Sequence, residues 1–138
     1  MFNLGIISKP HLSPHTSGSN IFASAPTERS NISTVYVLKK QFTMNSSGAA
    51  LVGGWLKCST SSVNSMQVLV NDVEAFVLTS VSSTYEAKFQ TISGLNPGDV
   101  IKIKIKTSSL FKAAYIKDAS IQIAENIALY TAPTVNLD

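Results

Sequence analysis

Two histidines four residues apart, His11 and His15 in the run His-Leu-Ser-Pro-His, are the first side chains that could do chemistry. On a helix that spacing sets both imidazoles on one face, where they could share a metal ion. Pro14 interrupts such a helix. No cysteine or acidic side chain stands close by, whereas structural zinc takes about four ligands, so no metal site is expected. The single cysteine, Cys58, has no partner for an internal disulfide and no histidine near it in sequence to draw off its proton. Asp99 follows Pro97-Gly98 in a turn, where a carboxylate bonds nearby backbone. Asp118 follows Lys117 and is expected to pair with it or with a neighbouring lysine. No Ser-His-Asp set can be assembled, because both histidines precede the strands. The expectation is a protein that is not an enzyme, with no catalytic residue and no cofactor.

The aromatic side chains offer a different chemistry. Trp55, Tyr36, Tyr85 and Tyr115 could each stack against a sugar ring. Each also lies in an apolar strand pattern, where a core or interface role is the preferred reading. Trp55, beside Gly53-Gly54, is expected to plug the core. Trp55 and Tyr115 are kept as the alternative glycan-stacking pair.

These side chains must be placed by strands. Residues 100–106 read Val-Ile-Lys-Ile-Lys-Ile-Lys. Successive strand side chains point to opposite faces, so Ile101, Ile103 and Ile105 face a core and Lys102, Lys104 and Lys106 face water. The turn formers of residues 94–99 precede this strand, and residues 115–123 are expected to return beside it as a hairpin. Similar patterns predict strands over 34–44, 49–57, 65–70, 73–78 and 85–92. Asn71-Asp72 between two apolar runs predicts a tight hairpin. The pair Gly53-Gly54 inside a strand predicts a bulge or a close backbone approach. About seven strands with one apolar face each, and no helix, make two stacked antiparallel sheets. Their edges are expected to be blunted by Lys88, Lys102, Lys104 and Lys117. The fold class is therefore all-β, an antiparallel β-sandwich, with an extended N-terminal arm over 1–33, the sandwich over 34–124 and a C-terminal tail over 125–138. The tail reads as a second arm or a final edge strand.

Composition narrows the partners. Charged residues are 14% of the 138, against about 25% in ordinary soluble domains. Serine, threonine and asparagine supply the polarity instead, and a surface of that kind is easily desolvated against other protein. The net charge of +3 includes a single arginine, Arg29, which argues against nucleic-acid binding. No stretch reaches the roughly 20 apolar residues of a membrane helix, and no membrane partner is expected. Met1-Phe2-Asn3-Leu4 lacks a basic start and Gly5-Ile6-Ile7 is too short for a signal-peptide core. The sequons at Asn31 and Asn45 are accordingly read as chance. Residues 1–33 combine proline breaks with large apolar side chains, the mark of an extended arm that docks on something, with an arm folded back on its own domain as the alternative. Phe2, Leu4, Ile6, Ile7, Leu12 and Phe22 are its expected anchors.

The order of turns and strands carries a resemblance. It runs through Thr34-Val35-Tyr36-Val37, the turn Asn45-Ser46-Ser47-Gly48 and the hairpin Val68-Leu69-Val70-Asn71-Asp72-Val73. It continues with Ser83-Thr84-Tyr85-Glu86-Ala87-Lys88-Phe89, Ile92-Ser93-Gly94-Leu95-Asn96-Pro97-Gly98-Asp99 and Ala113-Ala114-Tyr115-Ile116-Lys117-Asp118-Ala119-Ser120-Ile121. Over residues 29–123 this resembles the small jelly-roll or carbohydrate-module-like sandwiches of tailed-phage virion proteins, among them capsid decoration (cement) proteins and head or tail fibre domains. The resemblance implies a viral structural protein, often a homo-oligomer, and transfers no binding residue. The expected function is capsid decoration, with the arm laid on the major capsid protein. The expected location is the virion, after synthesis in the host cytoplasm. The alternative is a receptor- or carbohydrate-binding module of a fibre.

Overall fold

The computed structural model describes residues 21–123 and 131–138. Ten strands form two antiparallel sheets among them, with no helix. They are β1 (Ile21–Ala25), β2 (Arg29–Asn31), β3 (Val37–Thr43), β4 (Gly48–Cys58), β5 (Asn64–Val70), β6 (Val73–Ser80), β7 (Glu86–Leu95), β8 (Val100–Thr107), β9 (Ala114–Ile123) and β10 (Thr134–Leu137). The first sheet runs β1-β9-β4-β7, with β2 also paired to β9. The second runs β10-β3-β8-β5-β6. The sandwich and every strand expected from alternation are present.

Two sequence expectations change. Residues 21–31, assigned to the arm, form β1 and β2 along β9, because their backbone donors and acceptors meet the open edge of that strand. The lysine-row strand β8 and the strand β9 do not form a hairpin. β8 lies between β3 and β5, β9 lies between β1 and β4, and the chain crosses from one sheet to the other between them. Lys102, Lys104 and Lys117 consequently sit on central strands, and of the lysines expected at edges only Lys88 lies on one, β7. The residue range 134–137 is the edge strand β10 on β3.

The core follows the predicted parity. Ile101, Ile103 and Ile105 are fully buried against Val52, Leu56, Ile116 and Ile121 of the facing sheet. Each such side chain contributes about 1.5–3 kcal/mol. Asn71 and Asp72 both take positive φ, 52° and 67°, as a two-residue hairpin turn requires. Asp99 caps its own turn by accepting from the Asn96 amide at 2.8 Å and receives Asn71 Nδ2 at 3.0 Å. Buried Asn31 donates Nδ2 to Ile105 O at 2.7 Å and to Val35 O at 3.2 Å, and its Oδ1 accepts from the Ser33 amide. It ties the two sheets together, and its amide is occupied rather than offered to a glycan.

Lys40 is the unexpected core residue. Its ammonium is fully buried, donating to Ala25 O and Asp138 Oδ1 at 3.0 Å and to Thr27 O. Asp138 also accepts from the Thr27 amide at 3.0 Å and the Thr27 hydroxyl at 2.8 Å. Its main-chain oxygen accepts from Arg29 Nε at 2.7 Å. A residue just past β10 of one sheet is thus clasped to the β1–β2 connection of the other.

Candidate functional site

The outer face of the first sheet carries a depression of about 300 Å³, lined by Ser24, Pro26, Trp55, Phe89, Asp118, Ser120 and Gln122. Register explains it. Gly53 stands opposite Phe89 on β7 and opposite Ser120 on β9, so a position with no side chain is flanked by larger ones. The depression cannot simply be filled from below. A Cβ on Gly53 would lie 2.0 Å from Lys88 O and 2.8 Å from Phe89 Cα. Trp55 is half-buried, and it shares this face because it is two residues from Gly53. On β9 the register slips between Gly53↔Ser120 and Trp55↔Lys117, placing an extra residue opposite β4. Asp118 sits in that bulge with φ 49°, its amide bonded to Pro26 O at 3.2 Å. Bulges redirect side chains, and the exposed Asp118 of this one is among the residues that line the depression. Ser120 and Gln122 are buried, and Gln122 Nε2 donates to Ser120 Oγ at 3.2 Å.

Beside the depression lies a stack of tyrosines and lysines. Lys57 Nζ is 4.8 Å from the Tyr85 ring centre and 4.9 Å from that of Tyr115, and Lys117 Nζ is 4.4 Å from Tyr85. Such cation–π contacts contribute about 0.5–1 kcal/mol each at partly exposed sites. The Tyr85 hydroxyl donates to Glu28 Oε2. Burial, then the neighbouring carboxylate, pushes this phenol well above its ordinary range. These groups satisfy one another, so the cluster is a brace between β4, β9, the β6–β7 connection and the β1–β2 connection.

One end of the sandwich exposes large apolar side chains among serines and threonines. The connections 32–36, 59–63, 81–85 and 108–113 meet there, joined by Ser59 N to Ala113 O, Ser108 N to Val63 O, Thr107 N to Ser33 O and Cys58 N to Ser82 O. They expose Ile32, Val35, Val81, Leu110 and Phe111. Phe111 is 98% exposed and the other four 64–72%. Phe111 is held at φ 62°, a conformation an aromatic residue rarely takes. The four connections contain no Asp or Glu, and their one charged side chain is Lys112.

The sequence-derived candidates fare unequally. Trp55 does not plug the core. It shares the strand parity of Lys57, not of Val52 and Leu56, and that parity is the sequence signal that would have placed it. Tyr115 is not among the residues that line the depression and lies under Lys57. Asp118 makes no ion pair among the described residues, where the pairs are Lys40–Asp138, Lys88–Glu86 and Lys102–Asp72. Cys58 is buried, with its sulfur 3.1 Å from Ser62 O. No group of three potential metal ligands occurs among the described residues. His11, His15 and the anchors Phe2, Leu4, Ile6, Ile7 and Leu12 lie outside the described residues. Phe22 is a backbone member of β1. No protein-family model and no curated protein matches the chain.

Proposed function

We propose that this chain is a non-enzymatic bacteriophage virion protein, a jelly-roll sandwich that decorates a shell of major capsid protein as a homo-oligomer. The observation that carries this reading is the apolar end. A cluster of exposed large apolar side chains marks a surface meant to be covered, and a tip free of carboxylates suits an apolar, mildly acidic seat on a neighbouring protein. The connectivity supports the jelly-roll description. Between β3 and β10 only β5 and β6 are neighbours in both chain and sheet, and each other connection crosses between sheets, as in two interwound Greek keys. Residues 1–20 lead into β1 at the edge of its sheet, a position from which an apolar segment can reach a neighbour. The anchors named on it add contacts that form only on assembly, and linked contacts reinforce one another through effective concentration.

Particle occupancy tests the reading. Replacing Leu110 and Phe111 together by serine removes two large apolar groups at about 1.5–3 kcal/mol each when buried. Occupancy on shells is expected to fall at least about tenfold, with thermal stability unchanged because both residues are exposed in the free protein. Deleting residues 1–20 is expected to lower it further. If neither variant loses occupancy, shell decoration by these surfaces is wrong.

A further inference from the structure

The depression over Gly53 has the chemistry of a saccharide subsite, and we propose that it binds the terminal uncharged pyranose of a glycan. The site is independent of shell docking: it lies on a sheet face, not on the apolar end, and does not need the arm. Its size, about 300 Å³, is at the small end of ligand cavities and suits one ring rather than an extended chain. A pyranose presents an apolar face of C–H groups and a rim of hydroxyls. Phe89, across from Gly53 on β7, and Trp55, two residues along β4, supply the complementary apolar walls. Asp118 supplies a carboxylate able to accept from two neighbouring hydroxyls, a charge-assisted contact stronger than a neutral one. Gln122 and Ser120 supply an amide and a hydroxyl that are already oriented toward each other, at 3.2 Å. These polar groups are placed by backbone rather than by chance rotamers: Asp118 by its bulge, Ser120 and Gln122 by two successive outward positions of β9. The same carboxylate sets specificity, because an acidic sugar would bring a second negative charge beside it.

The tryptophan is the only one in the chain, so its fluorescence reports this site directly. Methyl glycosides of galactose, glucose, mannose, N-acetylglucosamine and N-acetylgalactosamine are titrated into the full chain, with sialyllactose as the acidic probe and saturation-transfer NMR as a second readout. The expected result is saturable binding of at least one neutral glycoside in the millimolar range, without binding of sialyllactose. Asp118→Asn keeps a residue that tolerates positive φ and is expected to weaken that binding at least about tenfold. Phe89→Ala is expected to weaken it too. Absence of saturable binding for every neutral glycoside by both readouts, equal binding of sialyllactose, or full affinity in Asp118→Asn would each overturn the assignment.

Discussion

Gly53→Ala is expected to loosen β7 from the first sheet and cost about 2–4 kcal/mol of stability. The added methyl has no side chain to push aside. It meets the carbonyl oxygen of Lys88 at 2.0 Å and the Cα of Phe89 at 2.8 Å, both backbone atoms of the strand paired with β4. Relief requires β4 and β7 to separate, and β7 can yield because β4 is its one neighbour among the described strands. Gly54→Ala is the internal control. Its methyl meets Ile116 side-chain carbons at 3.0 and 3.1 Å, which a small side-chain adjustment absorbs, and one backbone atom, Ala119 Cα, at 3.3 Å, which needs a shift of only a few tenths of an ångström. Urea denaturation of both variants, with hydrogen exchange on the β7 amides, makes the comparison. A Gly53→Ala loss no larger than that of Gly54→Ala would refute the steric account.

The second large effect concerns Lys40. Asp138→Asn leaves a fully buried ammonium with carbonyl partners and no hydrogen-bonded counter-charge, a situation that destabilises by about 3–5 kcal/mol when both charges are buried. The Asp138 side chain is 38% exposed, so solvent already screens the pair and a loss of about 1–2 kcal/mol is expected. Adding Lys40→Met should restore most of it, since a hydrophobic replacement removes the charge that needed a partner. A double variant no more stable than Asp138→Asn would show that packing, not charge, dominates the site.

The same pair sets an acid limb. Burial opposes ionisation of Asp138, but hydrogen bonds from Thr27 and Lys40 outweigh it and hold the carboxyl below its usual value. A carboxyl whose folded pKa is depressed stabilises the protein above its unfolded value, near 3.9, and that contribution disappears as pH falls through the lower folded value. Burial also lowers the pKa of Lys40, against the raising effect of Asp138, so its charge costs stability at neutral pH and the cost lifts only as pH rises through that lowered value. Stability measured from pH 6 to pH 2 is therefore expected to fall less steeply in Asp138→Asn than in the parent protein.

Strand parity was the legible part of the chain. Alternation located the seven main strands, and the phase of Ile101, Ile103 and Ile105 identified a core-facing row. Parity also held information that residue type concealed. Lys40 is in phase with Phe42 and Met44, which are buried, yet a lysine reads as solvent-facing on its own. Trp55 reads as core by size and lies outside by phase. Sheet membership was not legible, because β8 and β9 look like a hairpin in one dimension and the short connection 108–113 is equally able to cross a sandwich. Nor was the apolar end, whose side chains come from four connections far apart in sequence and become one surface only through the fold. In the depression over Gly53, Trp55 was visible as an aromatic. Gly53 was visible as a close approach. Their meeting with Asp118 depends on a one-residue register slip that no pattern announced.

The crossing connections carry a kinetic consequence. Among the described strands only those joined by the Asn71-Asp72 turn can zip up locally, whereas Ile21 must find Gln122 and Lys40 must wait for Asp138. A nascent chain leaving the ribosome can thus close the β5–β6 hairpin and the longer-range β4–β7 pair, but no complete sheet, before β8 and β9 emerge. Folding of this topology is expected to be slow, in the millisecond-to-second class of sandwiches built from distant pairings, and during that interval Lys40 is hydrated rather than buried.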